Sequence, residues 1–531
     1  MRFIPVYIIF TPIVTGMLVY VINKRWFNYS VFLSQIIITV LSFRYYIYYN
    51  GLIDRQVLVL GGWDKLISIS LRNDQLSVSF IFVTIFIWWM VLIYSWEKRE
   101  SNFKFLFFLL FIQGTFLGVI QTNDIFNMFV FIEITTIIST ILIIYKKDGY
   151  SVKAGLYYLL FNSVGMIFYL FGIIFIYSVT GSLNMDIISE KINYMGENDV
   201  VILSFIFIVA AIGVKSAFFP VYNWLPKAHG AAPASISALL SGLLVKSGLY
   251  AFIRFNQVYK IDMLDDLFFI IGFITAISGV IFSLSQKDIK QILAFSTISQ
   301  IGIILMGISS TSGISYIGCV MHIFNHAVFK SLLFMGAGYI INVYGTRRVT
   351  EIRGVFKNMP LVSCLMIIGM VSITGAPLFN GFVSKTVIKY GFEGNTIKTV
   401  MLYIINLGTG TLFIKMSQIF FGKLKINKVR SYNNKLAMFI LSIVCIILGN
   451  FYIPLTKGFF GVDISFVKAY SFLNWLNYIV ALGIGYLIYK WFIEKDYNII
   501  KKIRHFHISF YNTNIMLVTF IFIMIIWSYL H

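Results

Sequence analysis

Seven side chains that can gain or lose a proton lie inside apolar stretches long enough to cross a lipid bilayer. They are one glutamate, four lysines and two histidines in five separate stretches: Glu133, Lys215, Lys246, Lys330, Lys385, His322 and His326. A charge at the centre of a bilayer costs at least ~3 kcal/mol on insertion scales. Because so many protonatable groups lie at that depth, we interpret them as a route for ions through the membrane.

Three of these groups share one stretch with a regular spacing. His322, His326 and Lys330 are four and eight residues apart, which puts them on one face of a helix. Histidine changes its charge near neutral pH, so this face is typical of a proton relay. Two histidines four residues apart also occur in metal sites. No Asp or Glu lies nearby in sequence to complete such a site, so we expect no metal here.

Lys215 and Lys385 each lie beside residues that interrupt a helix. Pro220 follows Lys215, and the segment before Lys385 contains Gly375 and Pro377. Broken membrane helices are tolerated where the freed backbone groups line a wet cavity or an ion site. The sequence therefore predicts two broken helices, one in each half of the chain, and an internal repeat.

The remaining candidates are Lys246, Glu133 and His229. Small residues flank Lys246 and allow close helix packing. Glu133 is expected to stabilise the charged form of a nearby lysine such as Lys215, or else to tie two helices together. His229 precedes Pro233, where the span of Lys246 enters the membrane. It is interpreted either as a proton relay or as a capping group.

The composition indicates an all-α polytopic membrane protein. Hydrophobic residues make up 59% of the 531 residues and charged residues 12%, whereas soluble domains have about 25% charged residues. The hydropathy pattern predicts about 14–16 transmembrane helices: about 16 stretches reach the roughly 20 residues that a span needs, and the twelfth of them is broken. The net charge of +21 does not indicate a nucleic-acid partner, because the basic residues cluster in short loops between apolar spans.

Nothing in the sequence predicts a cofactor held by this chain. Cys319, Cys364 and Cys445 are far apart and lie in apolar stretches, without the spacing of an iron–sulfur or zinc site. The glycine-rich nucleotide motifs and the nucleophile elbow are missing from the sequence as well. A catalytic redox centre is therefore expected in other polypeptides, if the protein takes part in redox chemistry. The apolar run that begins near Met1 is interpreted as a retained first span.

Basic residues in the loops predict the orientation. The loops after odd-numbered spans contain most of them: Lys24, Arg25, Lys98, Arg99, Lys146, Lys147, Lys287, Lys290, Arg347, Arg348, Arg353, Lys357, Lys423, Lys425, Lys428, Arg430, Lys501, Lys502 and Arg504. The positive-inside rule places these loops in the cytoplasm and the N-terminus outside the cell membrane. Two β-rich runs on either side of Gly61 and Gly62 predict a β-hairpin near residues 55–75 on the outer surface.

We divide the chain into four parts on this basis. Residues 1–102 are N-terminal helices with the external hairpin, and residues 422–531 are C-terminal helices. Residues 103–255 and 256–421 are each predicted to form a repeat with one broken helix.

Several motifs resemble a known family. They are WLPKAH at 224–229, SALLSG at 237–242 followed by Lys246, QKDIK at 286–290, SQIG at 299–302, residues 326–336, and Gly375 to Phe382. Together they resemble the antiporter-like subunits of respiratory complex I, of membrane-bound hydrogenases and of Mrp-type cation/proton antiporters. The resemblance covers roughly residues 120–390.

The resemblance implies a fourteen-helix core within about residues 1–455 and two inverted five-helix repeats. It also implies roles: Glu133 pairs with Lys215, Lys246 passes the proton on, the face of His322, His326 and Lys330 continues it, and Lys385 is the terminal carrier. Two departures are that the second break has one proline, Pro377, where the family commonly has two, and that the last two spans exceed the core.

Three functions remain open at this point. The first is a proton- or sodium-translocating subunit of a larger respiratory or hydrogenase-type redox complex. The second is a subunit of an Mrp-type sodium/proton antiporter without redox chemistry. The third is a structural membrane scaffold, which the number of buried charges disfavours. The first two imply other membrane subunits as partners, with protons or sodium ions as cargo.

Overall fold

The computed structural model describes residues 2–49, 51, 54–96, 102–196, 198–310, 312–423, 431–506 and 508–530. Within these ranges, 15 helical segments are long and apolar enough to cross a membrane, and Pro360–Thr374 is a shorter apolar helix. The predicted all-α polytopic fold with 14–16 spans is therefore confirmed. The basic residues Lys98, Arg99, Lys425, Lys428 and Arg430 lie outside the described residues.

The elements follow one another along the chain with short connections. The N-terminal part contains α1 (Ile4–Ile22), α2 (Ser30–Tyr48), β1 (Gln56–Val59), β2 (Ser70–Asn73) and α3 (Gln75–Ser95). The next part contains α4 (Phe103–Gln121), α5 (Ile125–Ile143), α6 (Gly149–Thr180), α7 (Met185–Met195), α8 (Asp199–Ser216), α9 (Trp224–Ala231), α10 (Ala234–Leu239) and α11 (Lys246–Tyr259).

The second half of the chain has the same all-helical character. It contains α12 (Asp265–Ser285), α13 (Ile289–Ile308), α14 (Gly313–Tyr344), α15 (Val355–Asn358), α16 (Pro360–Thr374), α17 (Asn380–Tyr390) and α18 (Thr396–Ser417). The last elements are α19 (Tyr432–Asn450), α20 (Tyr452–Phe460), α21 (Phe472–Ile488), α22 (Asn498–Arg504) and α23 (Phe510–Leu530).

Both predicted helix breaks are present. The first separates α8 from α9, where Ala217 adopts a positive φ of 58° and the Phe219–Pro220 peptide bond is cis. The second separates α16 from α17, where Gly375 has a φ of 84°. Glycine tolerates this left-handed conformation, which explains why the helix ends there. The relation of the two halves as inverted repeats stays a prediction.

A third irregularity was not predicted from the sequence. A π-helical turn, Leu240–Leu244, lies between α10 and α11, so that the amide of Val245 donates to the carbonyl of Leu240. Such turns add one residue to a helix and are frequent at functional sites. This one ends two residues before Lys246.

The predicted hairpin is present as an antiparallel pair, in which Gln56 faces Asn73 and Val59 faces Ser70. Its second strand begins only at Ser70 and does not directly follow Gly61 and Gly62. The reason is a turn around Asp64, whose carbonyl accepts hydrogen bonds from the amides of Ile67 and Ser68.

Loop contacts divide the protein into two faces. Leu71 of β2 bridges to Thr122, and Asp124 bridges to Asn184, so we call the side formed by β1, β2, 122–124 and 181–184 the hairpin face. On the other side, which we call the basic face (287–288, 347–348 and 496–504), a bridge joins Asp288 to Arg348 and an ion pair joins Lys287 to Asp496. The bridged loops on the hairpin face follow even-numbered predicted spans and those on the basic face follow odd-numbered ones, and the side of the membrane that each face occupies stays a prediction.

The helices in the middle of the protein hold four of the eight candidates, Lys246, His322, His326 and Lys330. In the most apolar stretch of each segment, all residues are buried for Ala234–Tyr259, 94% of the residues for Ile289–Ile308 and 83% for Gly313–Tyr344. The outermost helix is α21, for which this share is 11%. These four candidates thus lie on helices that are covered by protein rather than by lipid.

Candidate functional site

Lys215 lies in the last turn of α8, at the first helix break. Its side chain is 3% exposed. Its ammonium group donates to the Thr136 hydroxyl of α5 at 2.6 Å and to the Tyr158 hydroxyl of α6 at 3.2 Å. Hydroxyl groups both accept and donate hydrogen bonds, so they are able to hold a lysine in either charge state.

Glu133 lies on α5, three residues before Thr136 and on the same side of the helix. One carboxyl oxygen, Oε1, is buried without a hydrogen-bond partner in the part of the chain that the structure describes. The ion pairs found among these residues do not include Glu133. The predicted pairing with Lys215 is therefore an interaction across a gap and not a direct contact.

Lys246 joins the two halves of the protein. It is fully buried at the start of α11. Its ammonium group contacts the carbonyl of Ser241, which lies in the π-helical turn, and Nδ1 of His326 on α14 at 2.5 Å. Gly248 brings α11 against the end of α8, because a Cβ at this position would overlap the Ser216 hydroxyl. The helices of Lys215 and Lys246 therefore pack closely.

The predicted face of α14 points to a polar stripe on α13. Nε2 of His322 lies 3.1 Å from Oε1 of Gln300, and Lys330 donates to the Ser296 hydroxyl and, at 2.9 Å, to the carbonyl of Leu293. Nδ1 of His322 lies 2.9 Å from the hydroxyl of Ser384 on α17. His322 therefore contacts both Gln300 on α13 and Ser384, the residue before Lys385.

Lys385 lies on α17, just after the second break. Its ammonium group donates to the carbonyl of Ile373 at 2.7 Å. This carbonyl is available because α16 ends one residue later, at Thr374, and the last carbonyls of a helix lack partners within it. The break thus supplies the acceptor for the lysine, as the sequence pattern predicts for a broken membrane helix.

His229 lies on α9 and is fully buried. Its ring stacks on Phe334 with the ring centroids 4.6 Å apart, and both ring nitrogens lack partners among the described residues. Its backbone carbonyl accepts a hydrogen bond from Ser237. The side chain therefore makes no capping hydrogen bond among the described residues, and its role as a relay group stays a prediction.

A buried charged cluster that was not predicted from the sequence lies between Lys246 and the hairpin face. Arg254, four and eight residues after Tyr250 and Lys246, is 2% exposed. Its guanidinium group donates to both carboxyl oxygens of Asp74 at 2.7 Å and to the Tyr250 hydroxyl at 2.9 Å. Asp74 also caps α3 and accepts from Arg72. The spacing of eight residues from Lys246 was the available signal, but Arg254 fell at the end of the predicted span.

The charge of Asp74 depends on this cluster. Burial acts to raise the pKa of its carboxyl group, but Arg254 and Arg72 outweigh burial and hold the pKa well below the usual range. A carboxylate with a lowered pKa contributes stability at neutral pH, and this contribution is lost only as the pH falls through the acid range.

Replacing Asp74 with asparagine is expected to lower the free energy of unfolding by about 3 kcal/mol, because it leaves Arg254 buried without a counter-charge. Asparagine keeps the cap of α3, so the loss reports on the ion pair. The measurement is thermal unfolding in detergent. Asp199→Asn, which changes an exposed carboxylate in the first turn of α8, is the control and should change little. Equal stability of both variants would show that Arg254 finds another partner.

Comparisons with known proteins identify the family of this chain. The family described as "NADH:quinone oxidoreductase/Mrp antiporter, TM" matches residues 122–410. A relative from Bacillus subtilis (strain 168), one of the subunits of an Na(+)/H(+) antiporter, is 33% identical over 362 residues, which are 66% of this chain and 73% of that protein.

Two solved complexes contain chains with the same fold. One is the membrane-bound sulfane sulfur reductase, an archaeal respiratory membrane complex, with a TM-score of 0.80 and 25% identity over 90% of this chain and 99% of that chain. The other is the Mrp complex from Dietzia sp. DQ12-45-1b, with a TM-score of 0.80 and 21% identity over 91% and 99% of the two chains.

The family match covers more than half of the chain and includes all eight candidate residues. The predicted resemblance is confirmed: this protein belongs to the NADH:quinone oxidoreductase/Mrp antiporter family of membrane subunits.

Proposed function

We propose that this chain is the ion-translocating membrane subunit of a multisubunit complex in the cell membrane. Its route runs from Glu133 through Lys215 and Lys246 to the His322–His326–Lys330 face and Lys385, with His229 as a side branch. The observation that carries this proposal is the 2.5 Å contact between Lys246 and His326. This contact places two buried bases from the two halves of the chain within reach of one proton.

The chemistry of the route is proton exchange between neighbouring bases. A lysine ammonium group has protons to donate and no acceptor, whereas a neutral histidine accepts on one nitrogen and donates from the other. A proton on Lys246 is therefore able to pass to Nδ1 of His326. Where consecutive groups are not in contact, as between Lys215 and Lys246, water would bridge them.

Of the two assemblies predicted from the sequence, we favour the sodium/proton antiporter. The support is the relative from Bacillus subtilis, whose name assigns it to an Na(+)/H(+) antiporter, at 33% identity. The respiratory assembly is the second candidate, supported by the likeness to a chain of the sulfane sulfur reductase at 25% identity. In either assembly the partners are other membrane subunits, and the chain itself moves the ion.

Transport in inverted membrane vesicles tests this proposal. The complex is produced with its partner subunits in a host without sodium/proton antiporters, and a fluorescent dye reports the proton gradient. Adding sodium should dissipate an imposed proton gradient without any electron donor. A gradient that instead forms only when the complex receives electrons would favour the respiratory assembly. A fully assembled complex that moves no ions under either condition would favour the scaffold.

Orientation is proposed from the basic loops and is tested with single cysteines on the two faces. Tyr194 on α7 is 94% exposed next to the hairpin face, and Lys147 is exposed in the loop between α5 and α6. A membrane-impermeant thiol reagent should label the Tyr194→Cys protein in intact cells and the Lys147→Cys protein only in inverted vesicles. Labelling of both from the same side would contradict the separation of the faces, and exchanged labelling would reverse the orientation.

A further inference from the structure

The helix α21 lies outside the matched family segment and outside the fourteen-helix core, and it has an unusual composition for its position. It is the most exposed span, yet its first two turns contain Asn474, Asn477 and Tyr478. Polar side chains at membrane depth are costly unless they face protein or water. A polar surface on the protein side of α21 is therefore expected.

The structure contains such a surface. A cavity of about 190 Å³ separates α21 from α17 and α18 and reaches the second helix break. Its polar lining comes from four helices and includes Thr374, Lys385, Lys389, Asn406, Asn477 and Tyr478. The Tyr478 hydroxyl lies 2.8 Å from the Thr374 hydroxyl at the end of α16, which fixes α21 to the break.

The cavity runs from the break towards the hairpin face. Lys389 lies one helical turn after Lys385, close to the end of α17 at Tyr390. Tyr390 donates to the carbonyl of Phe466 in the connection that follows α20, and Phe460 at the end of α20 borders the same surface cavity as Asp74. Along α21 the lining extends from Asn474 to Leu482, a rise of about 12 Å.

Two observations indicate what occupies this space. The amide oxygen of Asn406 is buried and has no hydrogen-bond partner among the residues described, which is unfavourable unless water satisfies it. The charged side chains of the lining are Lys385 and Lys389, and none of the lining residues is acidic. A positive potential favours water and small anions and repels sodium ions.

We propose that α21 forms the outer wall of a water-filled vestibule through which Lys385 exchanges its proton with the hairpin face. This inference rests on the proposed function and deepens it, because it assigns the proton to this exit. Sodium is excluded by Lys385 and Lys389, so a sodium path would enter elsewhere. The last part of the chain thereby gains a direct role in transport, with Asn477 and Tyr478 as positioning residues.

Single cysteines test for water in the vestibule in the assembled complex, after Cys364→Ser removes the exposed native cysteine. Asn406→Cys and Asn477→Cys place thiols in the lining. Ile404→Cys and Ile479→Cys, on the same two helices, place thiols on side chains that are 45% and 60% exposed and outside the lining. Charged methanethiosulfonate reagents react with thiols in water but not in lipid. The first pair should therefore react from the hairpin face and the second pair should not.

The charge of the reagent tests the exclusion of sodium. The anionic sulfonatoethyl reagent should label the Asn477→Cys protein about tenfold faster than the cationic trimethylammonium reagent, and Lys389→Gln should reduce this ratio. A ratio near one in the presence of both lysines would overturn the exclusion. If the asparagine positions are as unreactive as the isoleucine controls, the vestibule itself is refuted.

Transport after labelling connects the vestibule to function. Modified Asn477→Cys protein should translocate protons at least about fivefold more slowly than unmodified protein, because the added group blocks the exit. Full-speed transport in labelled protein would show a wet cavity that is not on the route. Labelling needs no transport, so if the cysteine variants are labelled as expected but the unlabelled Cys364→Ser complex with its native lining moves no ions, the proposed function is refuted and the vestibule stands.

Discussion

Replacing Lys215 with alanine is expected to reduce ion translocation by at least about 100-fold while the complex still assembles. Lys215 is the protonatable group at the first break, and a positioned acid or base typically contributes 10²–10⁴-fold to a proton transfer, so about 100-fold is the lower end. The neutral side chain also removes a buried charge, which lowers the cost of membrane insertion. The measurement is the rate of gradient dissipation in vesicles, normalised to the amount of assembled complex.

A matched control separates this effect from a general loss of charge. Lys153→Ala removes a lysine on α6 that is exposed, and it should leave transport near normal. A Lys215→Ala complex that assembles and transports at a near-normal rate would contradict the proposed role. Lys215→Arg is informative as well, because arginine keeps the charge but does not release its proton.

The contribution of Glu133 is measured by combining the Glu133→Gln substitution with Lys215→Ala. Since the structure leaves a gap between the two groups, we expect Glu133→Gln to slow transport less than Lys215→Ala does. Glu133→Asp should retain part of the activity, because the charge remains but its reach shortens. The double variant should be little worse than Lys215→Ala alone if both groups act on one loading step. Unchanged transport in Glu133→Gln would make the carboxylate a structural tie.

The second large effect is expected at the contact between Lys246 and His326. Lys246→Arg keeps a positive charge in place but removes the ability to release a proton, so transport should fall by at least about 100-fold. His326→Gln keeps a hydrogen-bonding side chain without a base and should have a similar effect. Because proton transfer between two bases needs both of them, the double variant should be no worse than either single one.

The arginine variant distinguishes a proton carrier from a structural charge. A tie between helices needs only a cation, and a Lys246→Arg complex with normal transport would therefore contradict the carrier role. Since arginine is larger and the site is fully buried, Lys246→Met provides a second test in which the volume is nearly kept. Retained transport in the assembled Lys246→Met complex would also contradict the proposal.

Much of the fold could be predicted from the sequence, because its signals act locally. Hydropathy over about 20 residues marks the spans, and Gly375 together with prolines marks the two breaks. The face of His322, His326 and Lys330 follows from helical spacing alone. The same local information places Lys215 and Lys385 beside the breaks, and both lysines lie at these positions in the structure.

The partners of these groups could not be predicted, because they depend on contacts between distant parts of the chain. Lys215 and Thr136 are 79 residues apart, and Arg254 and Asp74 are 180 residues apart. The π-helical turn before Lys246 contains no proline that would indicate it in the sequence. The cavity beside Lys385 needs α21, a helix that the family resemblance did not include.

The carbonyl acceptors of three lysines have a consequence for how this protein evolves. Lys246, Lys330 and Lys385 donate to the backbone carbonyls of Ser241, Leu293 and Ile373. Every amino acid supplies a backbone carbonyl, so these acceptors survive any replacement that keeps the local helix. Substitutions at Leu293 and Ile373, which lie outside the family motifs, should therefore accumulate without harm to the carriers. These acceptors are set by the course of the backbone, so a comparison of residue types between sequences would not identify them.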